Sequence, residues 1–177
     1  MRRLAAVAAV LALEVTAQAE TRPRYGGTIE ATLLGAPGTL DPVLVRTHAE
    51  ATVTSLVFDT LYAIGSDGMP VPHLAADLPQ YDSKLAVVHI ALRKGIKMHD
   101  GGVLTPQDVA ASLDRARHQA HWALAHVTSI SANADGVDIA LDQPTQSDDL
   151  LVFLALPQTA ITRGGRPPGP RVVGSGP

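Results

Sequence analysis

The chain has 177 residues, of which 46% are hydrophobic and 18% are charged, and its formal net charge is −3. This balance excludes a disordered acidic tail, a collagen-like repeat and a strongly basic nucleic-acid binder. The absence of cysteine excludes disulfides, thiolate metal sites, a cysteine nucleophile and a lipid anchor on an N-terminal cysteine.

The N-terminus has the pattern of a secretory signal peptide. Two arginines precede an apolar run at residues 4–13, and Ala17-Gln18-Ala19 is the small-x-small pattern that signal peptidase accepts. The apolar run is too short for a membrane span, which needs about 20 residues. We therefore expect residues 1–19 to be cleaved after Ala19 and the mature chain to be periplasmic. A buried N-terminal helix or a retained anchor is the alternative.

The first half of the mature chain predicts a strand, a helix and a hairpin. Alternating polar and apolar residues at 28–34 predict a half-buried strand. Apolar residues at helical spacing predict a helix over about 47–62. The Asp-Gly pair in the turn 65–68 favours a hairpin between strands at 62–64 and 69–71.

The second half predicts strands around one well-marked helix. β-branched residues at 85–92 predict a buried strand. A threonine, a proline and an aspartate at 105–108 begin a helix, whose apolar face carries Val109, Leu113, Ala116 and Ala120. Two further strands are predicted at 127–132 and 137–141, and 148–156 is either a short helix or a strand. The class is therefore α/β.

Six short segments follow one another in an order that is typical of one receptor family. They are Tyr-Gly-Gly-Thr-Ile at 25–29, Thr-Leu-Asp-Pro at 39–42, Val-Phe-Asp-Thr-Leu at 57–61, Asp-Gly-Met-Pro-Val-Pro-His-Leu-Ala at 67–75, Leu-Arg-Lys-Gly-Ile-Lys-Met-His-Asp-Gly at 92–101 and Gly-Ser-Gly-Pro at 174–177. In this order they resemble motifs of the family 5 extracellular solute-binding proteins. These are the periplasmic peptide-, nickel- and haem-type receptors of ABC importers.

The resemblance implies a mixed sheet with flanking helices, part of the first lobe of a periplasmic binding protein type II-like fold. It also implies a function, that of the periplasmic substrate-binding component of an ABC importer for oligopeptides or related solutes. The implied partners are the solute and the ABC permease subunits in the inner membrane. Because family members continue well beyond the Gly-Thr-Gly-Pro motif, we expect residues 20–177 to be only the N-terminal part of lobe one.

Two other functions stay open. One is a non-functional remnant of such a receptor, which cannot close on a ligand. The other is a small exported metal-dependent hydrolase that uses the histidines. The cargo also stays open between a peptide, a nickel chelate, haem and a sugar.

The resemblance places the loop after the Leu-Asp-Pro turn at the ligand cleft, here Arg46, Thr47 and His48. Free N–H groups at a helix N-terminus, together with Arg46, suit a ligand carboxylate. The alternative is a capping Thr47 beside two solvated side chains. Trp122, the only tryptophan, follows a helix that approaches the ligand in the family. The alternative there is an aromatic ring packed under a loop.

Other reactive residue types form no recognisable site. His118, His121 and His126 suggest a divalent metal, but no Asp, Glu or Cys at suitable spacing completes a ligand set. We therefore predict no bound metal and no cofactor. The segment His99-Asp100-Gly101 is interpreted as a tight turn, and Ser175 lacks the Gly-x-Ser-x-Gly context of a nucleophile. We predict that the protein is not an enzyme.

Overall fold

The computed structural model describes residues 30–82, 84, 86–120, 122, 124–142 and 148–176. The chain divides into two units, residues 1–32 and residues 33–177. In the first unit, residues 30–32 are exposed and have no regular secondary structure. The predicted signal peptide lies outside the described residues. All the elements below belong to the second unit.

The described part of the second unit contains three helices with groups of short strands between them. The helices are α1 (His48–Ser55), α2 (Pro106–Gln119) and α3 (Asp148–Phe153). The strands are β1 (Tyr62–Ile64), β2 (Pro70–Pro72), β3 (Gln80–Asp82), β4 (Val87–Ala91), β5 (Val127–Ala132) and β6 (Gly136–Leu141). Short 3-10 turns occupy Pro42–Leu44, Pro157–Thr159 and Arg163–Gly165. No helix in the described residues is long and apolar enough to cross a membrane.

The strands form two antiparallel sheets. β1 and β2 pair as a hairpin, and the second sheet has the order β3-β4-β6-β5. Strand β4 pairs with β6 so that Ile90 lies opposite Val137. The predicted α/β class, with helices flanking the sheet, is confirmed.

The hydrophobic core lies between α2 and the four-stranded sheet. Helix α2 packs against β5 and β6. Val109, Leu113 and Ala116 on its buried face are completely shielded from solvent, as are Val137 and Ile139 on β6. This agrees with the apolar stripe predicted for the helix. Truncating a buried leucine to alanine in such a core costs about 2–5 kcal/mol.

Helix α2 begins as its sequence predicts. The Thr105 hydroxyl accepts a hydrogen bond of 3.2 Å from the Asp108 backbone N–H, and the Asp108 carboxylate accepts one of 3.0 Å from the Thr105 backbone N–H. Pro106 stands at the first helical position, where no N–H donor is needed. The capping box therefore fixes the helix start.

Two predicted elements differ from the structure. The strand predicted at 28–34 is wrong over the described residues 30–34, which are exposed and form no strand. No described strand pairs with this segment, and alternation alone does not stabilise a strand. The helix predicted over 47–62 ends at Ser55 because the Thr54 carbonyl accepts bonds from the N–H groups of Val57 and Phe58, which turn the chain.

Candidate functional site

The three loop residues predicted to contact a ligand, Arg46, Thr47 and His48, lie at the start of α1 and are exposed. Val45, directly before them, is buried. The side-chain amide of Gln158 donates a hydrogen bond of 2.9 Å to the Val45 carbonyl. The loop is therefore anchored on one side while its polar side chains face solvent.

Thr47 is the N-cap of α1. Its hydroxyl accepts a hydrogen bond of 3.2 Å from the Glu50 backbone N–H. The Glu50 carboxylate in turn accepts bonds from the backbone N–H groups of Arg46 at 2.9 Å, Thr47 at 3.0 Å and Gly38 at 3.1 Å. The Arg46 N–H, with help from the Thr47 and Gly38 donors and against the effect of burial, holds the pKa of Glu50 below its ordinary value of 4.5.

This capping changes what the loop offers to an anion. The positive end of α1 already faces a carboxylate, that of Glu50, which is only 8% exposed. The structure thus has a capping Thr47 beside two solvated side chains. The N–H groups of Arg46 and Thr47 are occupied, so an anion recognised here would contact the guanidinium of Arg46.

Trp122 is half-exposed, with 53% of its surface open to solvent. Its ring meets Phe153 of α3 edge-on, with the ring centroids 6.5 Å apart and an angle of 82° between the planes. In the described part of the chain, no hydrogen bond, ion pair or ring contact joins Trp122 to residues 46–48. The ring therefore combines a packed edge with an accessible surface.

The histidines His118 and His126, which were weighed as metal ligands and for which no metal was predicted, each pair with a separate aspartate. On α2, Nε2 of His118 lies 3.7 Å from Oδ2 of Asp114. Beside the four-stranded sheet, Nδ1 of His126 lies 3.2 Å from Oδ2 of Asp142. His121 lies outside the described residues. Within the described ranges, no group of three or more His, Asp or Glu side chains is arranged to hold a metal ion.

The predicted turn at His99 and Asp100 is present, with Gly101 at a φ of +82°. The His99 ring accepts a hydrogen bond of 3.3 Å from the Gly174 N–H through Nδ1, and its Nε2 lies 2.9 Å from the Gly176 carbonyl oxygen. The Ser175 hydroxyl is buried without a partner among the described residues. These contacts give the turn a structural role.

Sequence reasoning missed a cavity of about 190 Å³ at the C-terminal end of α1. Its walls come from α1, the loop before β1, β1 itself, the end of β2 and the segment after α3. The described lining residues are Thr54, Ser55, Phe58, Asp59, Thr60, Ala63, Ile64, His73, Ala155, Pro157 and Ala160. Three separate stretches of sequence contribute, residues 54–64, His73 and residues 155–160, so no local motif indicated it.

No protein-family model matches the chain. Among curated proteins, it is 32% identical over 98 residues to the probable peptide-binding protein YejA of Agrobacterium fabrum, an alignment that covers 55% of this chain and 16% of that protein. It is similar to the PBP AgaA in complex with agropinic acid from A. tumefaciens R10, with a TM-score of 0.68 and 28% identity over 81% of this chain and 31% of that one. OppA of Listeria monocytogenes bound to peptide has a TM-score of 0.63 and 21% identity, covering 72% of this chain and 29% of that one.

These structural neighbours are family 5 solute-binding proteins, so the resemblance drawn from the sequence motifs is confirmed. The chain spans less than a third of these solved structures and 16% of the curated relative. The similarity to OppA concerns the fold alone. Since the similar proteins are binding proteins, the comparisons point against catalytic activity.

Proposed function

We propose that this chain is the N-terminal part of the substrate-binding component of an ABC importer. The observation that carries the proposal is the similarity to AgaA, which combines 28% identity with a TM-score of 0.68 over 81% of the chain. A peptide-like cargo is supported by the 32% identity to YejA, named a probable peptide-binding protein. The proposed partners are this solute and the ABC permease subunits of the inner membrane.

We assign solute contact to Arg46, His48 and Trp122. Among the described residues, none pairs with the Arg46 guanidinium, which leaves its planar set of donors free for a carboxylate. The accessible part of the Trp122 ring suits an apolar side chain of a peptide. Thr47 acts indirectly, because its cap fixes the loop that carries the other two.

The site of action proposed for the chain is the periplasm, after removal of residues 1–19. The signal-peptide pattern that ends at Ala19 supports this proposal. The intact mass of the chain recovered from a bacterial cell envelope tests this directly. A chain that starts at Glu20 supports export with cleavage, and a membrane-bound chain that retains residues 4–13 contradicts it.

The solute-binding proposal is tested by tryptophan fluorescence. Trp122 is the only tryptophan, so the emission reports on this ring alone. Titration with tri- to pentapeptides at millimolar concentration is expected to shift the emission to the blue as peptide side chains cover the ring. We expect weak binding that approaches saturation only at millimolar peptide, because high affinity requires that most of a ligand surface is buried.

Variants locate the contact. Arg46→Ala should weaken the response to peptides and leave the emission of the free chain unchanged. Arg171→Ala removes the same charge from another exposed arginine and serves as the matched control. An emission that does not respond to any peptide, or an equal loss in both variants, would contradict the assignment.

A further inference from the structure

A largely buried ion pair joins α2 to the loop that carries two of the proposed solute contacts. Nη2 of Arg115 on α2 donates a hydrogen bond to Oδ2 of Asp41, and each of the two side chains is only 12% exposed. The pair connects positions that are 74 residues apart in the sequence. Two charges so withdrawn from water are costly unless they stay together. The contact therefore favours one position of Asp41 relative to α2.

The carboxylate of Asp41 serves this distant contact and not its own turn. Asp41 is the N-cap of the 3-10 turn Pro42–Leu44, a position at which an aspartate commonly accepts a hydrogen bond from a nearby backbone N–H. No side-chain cap forms at this turn. The carboxylate accepts from Arg115 instead, so it ties the loop to a helix far away in the sequence.

The segment between Asp41 and Arg46 is short and firmly held. The Leu44 N–H donates to the Asp41 carbonyl at 3.0 Å. The Val45 N–H donates to the Pro42 carbonyl at 3.2 Å. Pro42, whose ring fixes φ, is completely buried. A displacement of Asp41 is therefore passed on to Arg46, which follows this turn directly.

Helix α2 provides a fixed base for the pair. Ala116, next to Arg115, belongs to the completely buried face that packs on the four-stranded sheet. Trp122 lies three residues beyond Gln119, the last residue of the helix. The same helix thus anchors the loop and leads into the segment that carries the tryptophan.

We infer that Arg115 is a positioning residue for the solute-contacting loop. Through Asp41 it holds residues 41–48 in place on α2 and so keeps Arg46 and His48 in register with Trp122. Its role in solute binding rests on the contacts proposed above. Arg115 itself does not touch the solute, because Asp41 occupies its charge.

The position of the loop can be measured without a ligand. The chain contains no cysteine, so His48→Cys and Gln119→Cys introduce a unique pair of sites for nitroxide labels. Both positions are exposed. Double electron–electron resonance then reports the distances between the loop and the end of α2. We expect one narrow distribution in the labelled parent and a broadened or shifted one when Arg115→Gln is added.

Two further variants separate positioning from a general loss of charge. Arg117→Gln removes the same charge from the same helix, but Arg117 pairs with Asp114 within α2 at 2.7 Å, so the loop should stay in place. Arg115→Lys should restore the narrow distribution. Only Nη2 of Arg115 makes the bond, and its Nε has no partner in the described part of the chain, so an ammonium group can replace it.

The consequence for solute binding is measured on the unlabelled variants by titration with tri- to pentapeptides, followed through the emission of Trp122. Arg115→Gln should raise the Kd about threefold or more, because the apparent Kd increases as the fraction of molecules with a correctly placed loop falls. Arg117→Gln should leave the Kd unchanged. A purely structural role of Arg115 would lower the stability of the fold without changing the Kd of the folded chain.

The inference is overturned if Arg115→Gln leaves the distance distribution unchanged, if Arg117→Gln alters it equally, or if the loop moves without a change in the peptide Kd. A parent chain that responds to no peptide overturns the proposed function, while the distances still decide whether Arg115 places the loop. Circular dichroism checks that each variant is folded. If Arg115→Gln does not fold, Asp41→Asn decides, because it removes the partner charge and keeps the shape of the side chain. An unchanged distribution in Asp41→Asn would then overturn the inference.

Discussion

The guanidinium of Arg163 binds the carboxylate of Asp100 through two parallel hydrogen bonds, from Nε to Oδ2 at 3.0 Å and from Nη2 to Oδ1 at 2.7 Å. The same guanidinium donates through Nη1 to Asp108 Oδ2 at 2.9 Å and to the Val103 carbonyl at 3.1 Å. Asp108 also caps α2. One side chain therefore joins the turn at residues 99–101, the start of α2 and the Arg163–Gly165 segment.

Arg163→Ala is expected to destabilise the fold by about 2 kcal/mol, because it leaves the buried Asp108 carboxylate without its cationic partner. Arg163→Lys should destabilise the fold less than Arg163→Ala, because lysine keeps the positive charge. It cannot form the two parallel hydrogen bonds of the guanidinium, so some stability is still lost. Urea unfolding at neutral pH measures both effects. Arg171→Ala is the control for loss of an exposed arginine, and an equal loss of stability in Arg163→Ala and Arg171→Ala would contradict this role.

The stability of the fold should decrease in acid. The Arg163 side chain lowers the pKa of Asp100 below its ordinary value of 3.8. Burial acts to raise the pKa of Asp108, but hydrogen bonds from Thr105 and Gly164 and the charge of Arg163 outweigh it and lower that pKa as well. Together with Glu50, these carboxylates stay ionised in the folded chain at pH values where the unfolded chain takes up protons.

These depressed pKa values stabilise the folded chain at neutral pH. The stabilising contribution is complete above about pH 5, where the carboxylates are ionised in both states, and it is lost as the pH falls through 4 toward the folded-state values. The free energy of unfolding, measured with urea from pH 7 to pH 3, should fall accordingly. Asp100→Asn should make this decrease smaller. A stability that is constant or rises toward pH 3 would contradict the assignment.

Thr47→Ala should cost about 1 kcal/mol of stability, because it removes the hydroxyl that caps α1. Arg46→Ala should change stability by less than about 0.5 kcal/mol, since the Arg46 side chain is exposed and only its backbone N–H contacts Glu50. Thermal unfolding of the two variants distinguishes a cap from a solvated residue. The reverse order of the two costs would show that the Arg46 side chain holds the loop.

The sequence predicted correctly those features whose contacts join residues close together in the chain. The capping box at Thr105 and Asp108 is as predicted. The predicted hairpin is also present, with its second strand at Pro70–Pro72, one residue later than predicted. Both involve contacts within a few residues. The choice left open for residues 148–156 is decided in favour of a helix, α3. Strand β3 was not predicted. Only three of its residues pair with β4 at the sheet edge, which is too short a segment to show a clear pattern in the sequence.

The remaining features depend on contacts between distant residues. The helical spacing at 47–62 extended beyond Ser55, yet Leu56 is 58% exposed and Tyr62 belongs to a strand. The resemblance to a receptor family gave the positions of Arg46, Thr47, His48 and Trp122, but the buried capping carboxylate of Glu50 was visible only in the structure. The cavity at Asp59 likewise combines residues far apart in sequence.

Gly136 permits the close approach of β4 and β6. A Cβ at this position would lie 1.9 Å from the Ile90 carbonyl oxygen, so Gly136→Ala forces the two strands apart. We expect a loss of about 2 kcal/mol or more in urea unfolding. Gly169→Ala is the matched control, because a Cβ added at Gly169 would meet no atom within 4 Å. A similar, small effect in both variants would show that the sheet adjusts without strain.

Mapping of photo-crosslinks by mass spectrometry tests the central claim, that this chain contributes a solute-contacting surface, most directly. The probe is a tripeptide that carries a photoreactive benzophenone, irradiated with the chain at millimolar concentration. The account predicts adducts on residues 46–48 and on Trp122 that decrease when unlabelled peptide competes. Adducts that are confined to other surfaces, or that do not respond to competition, would contradict it.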